Sequence, residues 1–278
     1  MFAKLLKYEW KANAGFMGVM SLAALGVGVM TAVMLRILYA MENRVVVTAA
    51  GNALRTIIGI MVLFMVLALV AYWLGMQIML LRRFYKNKFT DEGYLTFTLP
   101  VNSRQIFLSS VLSHVFWTVI ATLVIGLAVF TILLFGGNSD ELINRDLFTS
   151  IRLLWDELVR GIRFMEDGVL VSVLTILYMI LSVFYSPVFM LSCITVGAVV
   201  ANRHKILAAF GIYYVTNMVI SVITSIGSVI YLARIFALDA SEPRISSIIL
   251  GAMALELVIM GAGYLLSTRL MKNKLNLP

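Results

Sequence analysis

One cysteine, two histidines and four prolines in 278 residues leave little material for covalent or metal chemistry. With Cys193 as the single thiol, no disulfide can form within the chain, and no Cys/His cluster has metal-ligand spacing. Cys193 sits inside an apolar run and reads as a small buried hydrophobe. Charge is scarce as well: 13% of residues are charged, 62% are apolar, and mean hydropathy is +0.98. A soluble domain of this size has too much surface to cover with so few charges. Apolar residues must therefore face lipid as well as one another. No G-x-x-x-x-G-K-S/T phosphate loop, H-E-x-x-H or G-x-S-x-G occurs, so no catalytic, cofactor-binding or metal-binding residue is expected. Long Gly/Ser or Pro-rich linkers and internal repeats are also missing, which favours one membrane domain over 1–278 and leaves the inverted repeats of many secondary transporters unsupported.

What the chain does contain is six apolar runs, each long enough to span hydrocarbon as a helix. They cover about 16–35, 57–81, 108–135, 169–200, 207–232 and 246–266. The fourth is long enough to require tilt, a kink or projection beyond the membrane, and Pro187 inside it supplies a reason to kink. The fold class expected is an all-α integral membrane protein with six transmembrane helices.

The net charge of +8 does not point to nucleic acid, because basic residues cluster beside the ends of apolar runs, where they meet lipid headgroups. All eight lysines fall in the N-terminal segment, the 82–107 loop, the 201–206 loop or the C-terminal tail. With their arginines, those four segments hold 13 basic and three acidic residues. The connections at 36–56, 136–168 and 233–245 hold nine arginines, ten acids and no lysine. The asymmetry predicts cytoplasmic N- and C-termini. The N-terminal segment lacks a small-residue cleavage site after its first apolar run, so that run is expected to stay in the mature protein.

Two segments are amphipathic without spanning. Residues 1–13 place Phe2, Leu5, Leu6 and Trp10 on one side and Lys4, Lys7 and Lys11 on the others, the pattern of an elbow helix in the inner headgroup layer. Residues 147–165 carry Leu147, Ile151, Leu154, Trp155, Leu158, Ile162 and Met165 at three- and four-residue steps, opposite Arg152, Asp156, Glu157, Arg160 and Arg163. That pattern predicts an extracellular helix packed on lipid or protein.

The 82–107 connection is the most informative stretch. Arg82, Arg83, Lys86 and Lys88 give it a basic face, and Thr90-Asp91-Glu92 offers a cap followed by acids, which favours a helix start. Gly93 permits close approach or a turn. Tyr94, Leu95, Phe97 and Leu99 then put large apolar groups where water is expected, and Pro100 stops the helix before Asn102 or Ser103 starts the next. Such an apolar patch calls for a partner surface.

The run Phe89-Thr90-Asp91-Glu92-Gly93-Tyr94-Leu95-Thr96-Phe97-Thr98-Leu99-Pro100, followed by Val101-Asn102-Ser103, resembles the loop of bacterial type-2 ATP-binding-cassette (ABC-2-like) transporter permeases. Their amphipathic N-terminal segment before six spans is also similar to Lys4-Leu5-Leu6-Lys7-Tyr8-Glu9-Trp10-Lys11. The resemblance implies that residues 89–100, between spans two and three, form a coupling element seated in a separate cytoplasmic ATPase. Arg83, Thr90, Asp91, Glu92, Gly93, Tyr94, Leu95, Phe97, Leu99 and Pro100 would carry the coupling. It further implies ATP and magnesium in the partner subunit, a second permease chain (identical or homologous), and residence in the bacterial cytoplasmic membrane. Many relatives in that family place extracellular helices between spans five and six, whereas this chain has only the short 233–245 connection there.

Glu256 is the one acid deep in an expected span, where a charge costs roughly 2.5–3.5 kcal/mol on insertion scales. It reads either as a polar site on a translocation path or as a hydrogen-bond partner between helices, with Asn217 in span five as a candidate partner. Gly18, Gly26, Gly28, Gly251, Gly261 and Gly263 permit close helix packing. His114 and His204 are expected to be interface residues rather than a catalytic pair. The residues leave three readings open: an ATP-driven permease, most readily an exporter; an ion-coupled secondary transporter using Glu256; or a non-transporting membrane sensor or immunity protein.

Overall fold

The computed structural model describes residues 2–43, 49–98, 100–137, 145–164, 167–201, 204–237 and 245–273. Among them are eight helices: α1 (Phe2–Asn43), α2 (Ala49–Phe89), α3 (Asp91–Phe97), α4 (Ser103–Phe135), α5 (Arg145–Phe164), α6 (Gly168–Val200), α7 (Lys205–Ala237) and α8 (Ile245–Asn273). Six of these, all but α3 and α5, are long and apolar enough to cross a membrane. The protein is an all-helical, multi-pass membrane protein, with each expected span inside one long helix.

α1, α2 and the C-terminal end of α8 extend well past the apolar runs that announced them, whereas α6 matches its run to within a residue. The N-terminal segment, expected as a separate elbow over 1–13, is continuous with the first span in α1. No proline interrupts the junction, and Asn13 Nδ2 donates to the carbonyl of Glu9, one turn back, at 3.2 Å. The helix ladder therefore has no local reason to break there. α6 likewise stays helical through Pro187, although proline forfeits one backbone bond to the preceding turn.

The described residues fall into two compact units built from discontinuous stretches. One comprises 7–80 and 116–161. Its core is a seam of α1, α2 and α4 in which Met17, Ala24, Leu69, Tyr72, Met76, Trp117, Ala121, Val124 and Ala128 are buried. Those positions recur at steps of three or four on α2 and α4 and seven on α1, the spacing that keeps one stripe facing a neighbour. Small residues let backbones approach: a Cβ on Gly28 would lie 2.7 Å from that of Ala128. Ser21 Oγ meets Tyr72 Oη at 2.9 Å and Gln77 Nε2 donates to Thr118 Oγ1 at 3.2 Å across helices, while the buried Trp117 Nε1 has no hydrogen-bond partner among the described residues.

The other unit comprises 1–6, 81–115 and 162–278. Its core joins Phe84, Phe89, Phe107, Val111, Val115, Val188, Leu191, Ala198 and Met271, contributed by the end of α2, the start of α4 and the later halves of α6 and α8. Within it α6 and α8 run parallel, with Ser182 meeting Glu256 and Ser192 lying against Gly263 further along both helices. α7 runs antiparallel to α6, since Gly197 lies against Ala209 while Phe189 meets Tyr213. A Cβ on Gly263 would stand 2.8 Å from Ser192 Oγ, whereas Gly18, Gly26, Gly251 and Gly261 have open space around them. Close packing thus accounts for two of the six glycines expected to provide it. Cys193 is buried.

Candidate functional site

The connection after α2 folds back on the helix it leaves. Lys86 Nζ pairs with Glu92 Oε1 at 2.7 Å, and Thr96 Oγ1 donates to the carbonyl of Asn87 at 3.1 Å. These two contacts fasten α3 to the last turns of α2. The ion pair is half-exposed and contributes little by itself, about 0–1 kcal/mol. Its value is in fixing direction.

Thr90 occupies the N-cap position of α3 with an extended backbone, as the sequence suggested, but its side chain does not cap. Thr90 Oγ1 instead donates to the carbonyl of Lys86 at 2.6 Å, the back-bonding that competes with capping in Ser and Thr. The turn is closed by its backbone, with Gly93 N donating to the Thr90 carbonyl at 2.7 Å and Thr98 N to that of Tyr94 at 3.1 Å. Asn102 then opens α4, its carbonyl accepting from Gln105 and Ile106.

The expected apolar patch and basic face are each divided. Gly93 is buried and Phe97, one turn on, packs against the buried cluster, while Tyr94 is 66% exposed. Helical geometry requires this, since residues four apart share a face and their neighbour points elsewhere. Phe97 therefore belongs to the interior rather than to an outward patch. Glu92 and Pro100 are exposed. Leu99 lies outside the described residues, as do the side chains of Asp91 and Leu95. Arg82 and Lys86 are exposed, Arg83 is half-buried, and Lys88 is buried with a partner.

Behind α3 stands a set of aromatic contacts that sequence reading missed. Phe89, the last residue of α2, meets Phe84 edge-on at 5.7 Å and stacks with Tyr85 at 6.1 Å. Phe84 meets Phe107 of α4 at 6.3 Å, and Phe107 meets Tyr264 of α8 at 6.0 Å. Phe107 is fully buried. The contacts form a ladder from the connection into three spanning helices, in the edge-on geometry aromatic pairs favour. The cue available from sequence was Phe89 at the head of the motif and Phe107 at its tail. The pairing itself is tertiary.

Glu256 is half-buried on α8, and Ser182 Oγ of α6 reaches its two carboxylate oxygens at 3.2 and 3.3 Å. The Tyr178 phenol, one turn before Ser182 on α6, interacts electrostatically with this carboxylate. The expected partner Asn217 is engaged in its own helix, Nδ2 donating to the carbonyl of Tyr213 at 2.9 Å. His114 is buried and His204 exposed, so the two do not share an environment. No group of three or more potential metal ligands occurs among the described residues.

Length and apolarity of the six helices define the class of the chain as a multi-pass membrane protein. Among known proteins, no family model, no curated protein and no solved structure matches it.

Proposed function

We propose that the chain is the membrane-spanning permease subunit of an ATP-driven transporter, an exporter, and that α3 is its coupling element. The observation that supports this reading most is the pairing of an exposed aromatic with a wired interior. Tyr94 projects from a seven-residue helix whose other face reaches, through Phe97 and the Phe89–Phe84–Phe107–Tyr264 ladder, α2, α4 and α8. A partner gripping Tyr94 would act on packed side chains with two sides in contact, the kind of physical chain through which coupling can travel.

On this reading, two cytoplasmic ATPase subunits hold ATP and magnesium, and two permease chains face each other in the bacterial cytoplasmic membrane. The lysine bias supports a cytoplasmic side for α3 and both termini. Closure of the ATPase dimer pushes α3 toward α2, and the aromatic ladder carries that push to the beginning of α4 and the later half of α8. The substrate path opens alternately to each side. This chain contributes no catalytic residue.

The test is affinity purification of the chain from its native membrane, with the eluate probed for a phosphate-loop ATPase. Tyr94→Asp with Leu95→Asp is expected to abolish association while membrane insertion and thermal stability are kept. Undiminished association of the double variant, or labelling of residues 89–100 from outside intact cells, overturns the assignment. Transport by the chain reconstituted alone would favour an ion-coupled mechanism instead.

A further inference from the structure

An acid in the middle of a membrane span needs something to offset its charge, and among the described residues no basic side chain pairs with Glu256. α6 carries no charged residue at all, and α7 carries only Lys205 and Arg234, close to its two ends. On α8 itself the nearest basic residue is Arg269, thirteen positions on, or about 20 Å along the axis. Among the described residues, what meets Glu256 is the Ser182 hydroxyl, with the Tyr178 phenol near enough to interact electrostatically.

Aromatic rings stand beside that carboxylate. Tyr178, Ser182, Tyr185 and Phe189 fall at steps of four, three and four, which places them along one face of α6. Tyr185 lies close enough to Glu256 for the two to interact electrostatically. Tyr185 stacks on Phe189 at 5.7 Å, and Phe189 meets Tyr213 of α7 at 5.5 Å. Glu256, Tyr178 and Tyr185 are all half-buried rather than sealed, so a molecule dissolved in the bilayer can reach them. A carboxylate held by a hydroxyl and flanked by ring faces suits one chemical class. That class is an organic cation apolar enough to enter the hydrocarbon, its charge on the carboxylate and its body against the rings.

We infer that Glu256, with Ser182, Tyr178 and Tyr185, forms a binding site for a lipophilic organic cation, the Phe189–Tyr213 pair extending its apolar wall. This deepens the transporter reading by naming its substrate class and rests on that reading for the claim of transport. Binding itself requires no ATPase.

The test uses the full-length chain in nanodiscs of zwitterionic lipid, with no partner protein, titrated with tetraphenylphosphonium. Tetraphenylborate, of the same shape and opposite charge, serves as the control. Saturable tetraphenylphosphonium binding is expected, with no saturable component for tetraphenylborate. Glu256→Gln, which keeps shape and removes charge, should weaken binding about tenfold or more, and Glu256→Asp should retain part of it. Tyr185→Leu should weaken it about threefold, in the range of one cation–π contact. The inference is overturned if both ions partition alike without saturation. It is equally overturned if Glu256→Gln, eluting as a single species, binds the cation as tightly as the parent. Failure here leaves the ATPase association of Tyr94 untouched, and loss of that association leaves this binding untouched.

Discussion

α3 and α5 are both amphipathic helices set between spans, yet they are held in opposite ways. α3 has only seven residues, but an ion pair, a side-chain bond to Asn87 and the inward Phe97 tie it to what lies behind it. α5 has twenty residues and not one of them is buried. Phe148, Leu154, Trp155 and Leu158 are all exposed, and among the described residues Arg160 bonds within the helix, to Glu157 and the Asp156 carbonyl. Amphipathicity alone therefore assigns no role. A segment that passes on a movement must be bonded to what it moves, whereas α5 has the surface of a helix resting on an apolar medium.

The strongest way to break the comparison is to remove the rung behind α3. Phe107→Ala empties a fully buried ring site and should cost about 3–5 kcal/mol. Thermal unfolding in detergent would drop by several degrees, and an unchanged midpoint would show that the ladder does not hold the unit together. Next comes helix spacing. Gly263→Leu pushes into Ser192 and should cost about 1–3 kcal/mol, while Gly251→Leu, with open space around it, should stay within about 0.5 kcal/mol. Equal effects at the two positions would contradict the close approach of α6 and α8. Thr96→Val removes one bond to the Asn87 carbonyl, about 1 kcal/mol, and should loosen α3 locally. Limited proteolysis within 89–100 should speed up at an unaltered global midpoint, and an unchanged cleavage rate would mean that the bond does not hold α3. The smallest effect is expected on α5, where Leu154→Gln should leave unfolding within about 0.5 kcal/mol. A fall of several degrees would mean that its apolar face packs on protein.

The spans were legible because lipid imposes a simple rule: about twenty apolar residues, with charge kept to the flanks. Helix ends were less legible, since backbone bonding carries helices past the hydrocarbon wherever no proline or cap stops them, as at Asn13. α3 could be read as a helix starting at Thr90, but its cap could not, because a threonine hydroxyl can accept from an N–H of the turn ahead or donate to a carbonyl of the turn behind, and the sequence does not choose between them. Phe97 was placed outside by the expectation that a connection faces water, and four-residue spacing with Gly93 turned it in. Glu256 stood out by its charge alone. Its partner did not, because Ser182 is 74 positions away and hydroxyls are common in membrane helices. The aromatic ladder is invisible for the same reason: each ring is ordinary where it stands, and only the fold brings them together.

α1 runs without a joint for 42 residues, a rod about 63 Å long where the hydrocarbon is about 30 Å thick. Trp10, in its third turn, stacks on Phe116 of α4 at 4.4 Å and clamps the rod near one end. A stiff rod pinned there converts rocking into travel, with the far end moving about 1 Å for each degree of tilt. Whatever lies beside Asn43 would feel a small rotation as a sizeable sideways stroke.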